Sequence, residues 1–132
     1  MKKIPLTLRK YHFTQVSVTP IPEYDQSGDN NGTVTKCETK YAYDPENNLV
    51  ITEVTIKTDI ENSINPPYMY EITALGVFSP TEAGAESSST AMQHSSQLLI
   101  GAIRQQILSI TSSMPWDAFY HGFVVVNVEE KT

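Results

Sequence analysis

The residues that could do chemistry are few and scattered in this chain of 132 residues. His12, His94, His121 and the single cysteine, Cys37, do not share the short spacings of a metal site. Asp117 precedes His121 closely, and a carboxylate near an imidazole is a pattern found in acid–base catalysis. No nucleophile with a supporting motif accompanies this pair, and the glycines form no phosphate-binding loop. We therefore expect no catalytic residue, no metal and no cofactor.

Charge and composition exclude several classes of partner. The chain carries 9 basic and 15 acidic residues, a net charge of −6, whereas binding to phosphate backbones needs clustered Lys and Arg. We therefore expect no nucleic-acid partner. No apolar run is long enough to span a bilayer, and the basic start, Met1–Arg9, is not followed by the apolar stretch of a signal peptide. These features predict one cytoplasmic domain over residues 1–132 that does not insert into a membrane.

The elements that must position any site are predicted by hydrophobic periodicity. Alternating residues indicate four strands before one long helix, and this order predicts an α+β fold in which the helix packs on a four-stranded antiparallel sheet. In the first strand Tyr11 and Phe13 follow one phase of the alternation, and Val16 and Val18 follow the other, which indicates a bulge near Thr14–Gln15. The predicted extended segments are Leu6–Thr19, Thr33–Tyr43, Leu49–Ile60, Tyr68–Phe78 and, after the helix, a short run at Val124–Val128.

The long helix is predicted to begin near Ser88–Thr90 and to end near Ser112, before Pro115. One broad apolar stripe is expected to cover the sheet: Met92, Leu99, Ile103, Ile107 and Ile110. A second line has the spacing of helix–helix contacts: Leu98, Gly101, Gln105 and Leu108. Two interpretations of this line stay open. It is an interface with another subunit, or a partly exposed polar face with two isolated leucines.

Aromatic residues are concentrated in the first strands and after the helix. Tyr and Trp offer a large contact area with a polar group and lose little side-chain entropy, and Met adapts to varied partners. These properties suit a surface that binds polypeptide. The candidate client-binding residues are Tyr11, Phe13, Tyr41, Tyr43, Met114, Trp116, Phe119 and Tyr120.

Several segments resemble the SecB family of protein-export chaperones. The similarity is clearest in Ile103–Ser109, continues through Met114–Trp116 to Val126–Val128, and includes the first strand at Tyr11–Val18. Gln105 stands where the family prefers Glu. The resemblance covers most of the chain loosely. It identifies the chain as similar to a short, divergent SecB-like protein.

The resemblance implies an ATP-independent chaperone that holds unfolded or partly folded polypeptide in apolar grooves, without a metal. The client is either a protein for export, with a translocation ATPase as a further partner, or one dedicated partner such as a toxin–antitoxin pair. A homodimer or homotetramer is expected, with the line through Gly101 at the interface. Two alternatives stay open: an immunity-type protein that binds one folded partner, and a hot-dog-type enzyme, which the single short run after the helix disfavours.

Overall fold

A computed structural model describes residues 5–25 and 32–113, and the backbone of residues 124–131. Its first four strands form an antiparallel sheet and the long helix packs on one face of that sheet, which confirms the predicted α+β fold. Short 3₁₀ turns precede β4 and the helix. The elements are β1 (Leu6–Pro20), β2 (Val34–Asp44), β3 (Leu49–Thr58), a 3₁₀ turn (Ile60–Asn62), β4 (Tyr68–Pro80), a second 3₁₀ turn (Ala85–Ser87), α1 (Ser89–Thr111) and β5 (Val124–Lys131).

The strands follow the order β1-β4-β3-β2-β5 across the sheet. The sequence predicted only an extended run after the helix, and the structure shows that this run joins the sheet as β5. It pairs in parallel with β2, with Val124 opposite Val34 and Val128 opposite Cys37. The outer edge of β2 is therefore covered. At the other side of the sheet, β1 is an edge strand with no neighbour among the strands described here.

Two bulges interrupt the pairing of β1 with β4. The register shifts between Leu8 and Lys10 and again between Phe13 and Gln15, and the second shift confirms the bulge predicted from the sequence. Each bulge inserts one unpaired residue, so the side-chain alternation is reset. The apolar residues on both sides of each bulge therefore share the helix-side face of the sheet: Leu6, Leu8, Tyr11, Phe13, Val16 and Val18.

The helix begins at the predicted position, because the Ser88 hydroxyl accepts a hydrogen bond from the Ala91 amide at 3.1 Å. Its buried residues follow each other at every fourth position rather than in the broad stripe expected. Met92 and Ile110 of that stripe are only half-buried. The stripe that faces the sheet consists of Ala91, Ser95, Leu99, Ile103, Ile107 and Thr111.

The first half of the helix approaches the sheet closely because small residues meet there. The Ser95 hydroxyl lies 2.8 Å from the Thr52 hydroxyl on β3, and Thr52 is opposite Gly76 on β4. A Cβ atom on Gly76 would lie 2.8 Å from the Phe78 ring and 3.1 Å from a Leu99 methyl group. Because Gly76 has no side chain, Leu99 of the helix can pack directly against β4.

A buried hydroxyl network links three strands near the other end of the helix. The Tyr70 hydroxyl on β4 lies 2.6 Å from the Thr35 hydroxyl on β2, and the Tyr70 amide donates to the Thr58 hydroxyl on β3 at 2.9 Å. Burial raises the pKa of Tyr70 to about 12, against the opposing effect of hydrogen bonds with these two threonines. The network satisfies polar groups that would otherwise be costly to bury.

The close packing at β4 predicts that Gly76→Ala destabilises the fold. The added methyl group must displace the buried Phe78 ring or Leu99, at a cost of about 1–3 kcal/mol in the free energy of unfolding. Urea denaturation measures this change. Phe78→Leu removes part of the obstructing ring, so the double variant should lose less stability than the sum of the two single variants. Strict additivity would contradict the proposed contact.

The buried phenol of Tyr70 predicts a loss of stability at high pH. Tyrosine in the unfolded chain ionises near pH 10, whereas Tyr70 in the fold keeps its proton to about pH 12. The free energy of unfolding should therefore fall as the pH rises through this window, by up to about 1.4 kcal/mol per pH unit from this residue.

Tyr70→Phe removes the titrating group, so its stability should fall less steeply with pH than that of the unchanged protein. Urea denaturation between about pH 9 and about pH 11.5 compares the two slopes. The other titrating groups are common to both proteins and cancel in this comparison. Parallel slopes would show that Tyr70 ionises normally in the fold.

Candidate functional site

The helix divides its face of the sheet into two flanks. It packs mainly over β3, β4 and β1, so β2 lies beside it rather than beneath it. Tyr11 and Phe13 lie on the β1 flank, and Tyr41 and Tyr43 lie on the β2 flank. Since β1 and β2 are three strand spacings apart, about 14 Å separates the two pairs. The predicted client-binding residues that the structure describes thus form two groups, not one groove.

The β2 flank contains a groove of about 310 Å³ between the side of the helix and the sheet. The helix contributes one wall, and Thr39 of β2 contributes the floor. We call this the β2 groove. The sequence placed Met92 under the helix, but the structure places it in this wall, one position away from the buried stripe. The β2 groove is lined by Thr39, Ser89, Met92, Gln93, Ser96, Gln97 and Ile100.

The floor of the β2 groove is buried and offers no reactive side chain. The Thr39 hydroxyl has no nitrogen or oxygen partner among the described residues, and its Oγ1 atom is shielded from solvent. Burial raises the pKa of the neighbouring Cys37 thiol, and a weak hydrogen bond with Thr39 opposes that shift. A buried thiol with a raised pKa is a poor nucleophile, so Cys37 acts here as a small apolar core residue.

Two tyrosines follow Thr39 along the helix-side face of β2, towards the start of the helix. The Tyr41 hydroxyl donates to the Glu86 carbonyl oxygen at 2.6 Å, which ties β2 to the segment that leads into the helix. Burial, and then the Glu86 charge, raises the pKa of Tyr41. Tyr43 is 37% exposed, and its hydroxyl donates to the Asn48 side chain at 2.7 Å. Tyr43 therefore presents an exposed but oriented ring.

On the β1 flank, one residue of the predicted interface line lies close to the first strand. Leu98 and Leu8 are both half-buried and pack against the same apolar cluster. On the strand, the exposed Tyr11 packs edge-on against Phe13, with ring centroids 6.0 Å apart. The rest of the line lies elsewhere on the helix: Gly101 and Gln105 are on its exposed face, with open space beside Gly101, and Leu108 is on the same side as Ile100.

The outer edge of β1 is a further binding feature. This strand has 15 residues, and no strand among the described segments pairs with that edge. An unpaired edge presents backbone N–H and C=O groups that another extended chain can use. The edge lies beside the exposed Tyr11 and Val16 side chains, so backbone and apolar groups are offered together.

Four of the predicted client-binding residues, Met114, Trp116, Phe119 and Tyr120, lie outside the described residues, as does the Asp117–His121 pair. Within the described segments, no group of three His, Cys, Asp or Glu side chains is arranged to hold a metal ion. No helix in that part of the chain is long and apolar enough to cross a membrane.

Solved structures show what this fold is similar to. The SecB-like chaperone Rv1957 of Mycobacterium tuberculosis, solved with a ChAD peptide from the HigA1 antitoxin, superimposes with a TM-score of 0.62 at 10% identity, over 91% of each chain. A protein of unknown function from Streptococcus agalactiae matches with a TM-score of 0.53 at 8% identity, over 92% of this chain and 100% of that one.

No protein-family model matches the chain, and no curated protein matches it in sequence. At such low identities the superpositions show a shared fold alone. The chain therefore has a SecB-like fold, as the sequence resemblance implied.

Proposed function

We propose that this protein is an ATP-independent chaperone that binds unfolded polypeptide segments on the helix side of its sheet. One observation carries the proposal: a groove of about 310 Å³ remains open between the side of the helix and β2, and the exposed Tyr43 lies farther along the same face of β2. The SecB-like neighbour from M. tuberculosis was solved with a bound peptide, and this supports the same use of the fold here.

The β2 groove offers what an unfolded segment needs. Such a segment exposes apolar side chains and unpaired backbone groups. Met92 and Ile100 provide apolar surface in the groove, and the exposed Tyr43 adds to it farther along β2. Each Å² of apolar surface removed from water contributes about 25 cal/mol. The side-chain amides of Gln93 and Gln97 can donate to and accept from a backbone. Passive burial of this kind needs no nucleotide.

We propose a dedicated client rather than a broad range of exported proteins. The β2 groove, at about 310 Å³, is small for a surface that must hold long and varied chains. The peptide in the SecB-like neighbour comes from a single antitoxin, which is a precedent for one partner on this fold. On this proposal the protein acts in the cytoplasm and needs no translocation ATPase.

We further propose that the protein assembles as a homodimer or homotetramer through the β1 edge and the exposed face of the helix. The helix carries one charged residue, Arg104, apart from His94, and low charge is typical of the centre of an interface. Leu98 lies on the β1 side of the helix, whereas Gly101 lies on its exposed face and Leu108 on the side of Ile100, so a partner would contact these residues across the exposed face. Covering these surfaces would remove exposed apolar surface from water.

The assembly predicts a molecular mass above the 14.7 kDa of one chain in light scattering after gel filtration. Gly101→Leu should shift the protein towards the monomer, because the added side chain separates helices in close contact. Ala42→Leu also places a leucine at an exposed position, on the other face of the sheet and away from β1, and should leave the mass unchanged. A monomer at high concentration without any substitution would contradict the proposed assembly.

The function predicts that the protein suppresses aggregation of a chemically unfolded client without ATP, measured by light scattering. Tyr43→Ser should weaken this suppression, so that about fivefold more protein is needed, as expected for loss of one aromatic contact. Ile51→Ser is the matched control. Ile51 is also 37% exposed and lies at the same end of the β2–β3 hairpin, but on the opposite face.

Two outcomes would contradict the proposed function. One is unchanged aggregation at several-fold molar excess of protein, for unfolded reporters and for candidate partners expressed with it. The other is an equal effect of the Tyr43 and Ile51 substitutions, which would show that exposed apolar area in general, and not the helix-side surface, determines binding. Circular dichroism confirms that both variants keep their secondary structure.

A further inference from the structure

We infer that the β2 groove selects an uncharged, extended segment of about five residues, in which apolar side chains alternate with amide or hydroxyl side chains. This inference rests on the proposed function and specifies the chemistry of the client at that site.

The length follows from the helix wall of the groove. Ser89 and Ile100 mark the two ends of the lining residues, and a helix rises about 1.5 Å per residue, so that about 16 Å of wall is available. Extended chain advances about 3.3 Å per residue, which gives room for about five residues.

The alternation follows from the two rows of side chains along that wall. Ser89, Gln93 and Gln97 form a polar row, and Met92, Ser96 and Ile100 form a row whose ends are apolar. Members of each row are four positions apart and therefore about 6 Å apart along the helix. Side chains on one face of an extended chain repeat every 6.6 Å or so. The two spacings are nearly equal, so the side chains of an extended segment can lie opposite successive residues of both rows along the whole groove.

The preference for an uncharged client segment follows from the lack of ionisable side chains among the described lining residues. None of the described residues that line it is ionisable. The nearby charges of β2, on Lys36 and Lys40, lie on the opposite face of the sheet, where they are near Asp59 and Glu53. On the helix side, Glu86 precedes the helix and Arg104 follows Ile100 by about one turn, so both charges lie beyond the ends of the lining. A Lys or Glu side chain of the client between those ends would lose part of its hydration and would find no lining residue of opposite charge among those described. An amide or hydroxyl side chain finds partners in the polar row.

The test uses three short peptides of about nine residues, in which Leu alternates with Gln, with Lys or with Glu. Fluorescence anisotropy measures their affinity for the unchanged protein, for Gln97→Glu and for Met69→Glu. Met69 is exposed on the other face of the sheet, in β4, so the control adds the same negative charge away from the groove and from the β1 edge. Both variants are compared at the same protein concentration.

We expect the unchanged protein to bind the Gln peptide about tenfold or more tightly than either charged peptide. Gln97→Glu should move the preference towards the Lys peptide by about two- to fivefold, the effect of one partly exposed charge pair. Met69→Glu should keep the original order of affinities.

Equal binding of the three peptides by the unchanged protein, or equal effects of the two substitutions, would overturn the inference. The aggregation assay then distinguishes failure of the proposed groove specificity from failure of the proposed chaperone function. Suppression of aggregation without peptide selectivity would leave the chaperone function standing and refute the specificity of the β2 groove alone. Loss of both would refute the proposed function as well.

Discussion

The close packing of the helix against β4 is the constraint on which the rest of the structure depends. Gly76 leaves the space that Phe78 and Leu99 fill, and Ala91 and Ser95 keep the first turns of the helix near the sheet. The helix is thereby held over β3 and β4. Because the helix packs mainly over β3, β4 and β1, a groove remains between its side and β2, and the exposure of Tyr11 and Val16 shows that the described residues cover β1 only in part.

This placement separates two kinds of surface. The β2 flank holds a small groove with an uncharged polar and apolar lining. The β1 flank is a strand edge that pairs with no strand in the described part of the chain, and Leu98 of the helix lies beside it. The exposed face of the helix lies between these two surfaces and carries both Gln97 of the groove and, four positions later, Gly101 of the proposed interface. On the proposed function, a client segment and a second copy of the chain would therefore approach each other most closely over this face.

Local pattern explains what the sequence could predict. The alternation in β1 showed the bulge after Phe13, and the hydroxyl of Ser88 marked the start of the helix. The order of strands in the sheet was beyond such reasoning, because Val124–Val128 contains no information about its neighbour and β5 joins β2 in parallel. For the same reason the sequence grouped Tyr11 with Tyr41 in one set of aromatic residues, although two other strands lie between theirs. Met92 was assigned to the core because periodicity defines a stripe but not its width.

The two bulges of β1 also bear on solubility. They divide the edge into the short ladders 6–8, 10–13 and 15–20, each offset from the next and more strongly twisted than a regular strand. A flat strand of the kind that stacks in fibrils can follow one of these ladders but not all three in register. The edge can thus accept a curved partner of matching shape, and it gives an aggregating chain no long straight template on which to grow.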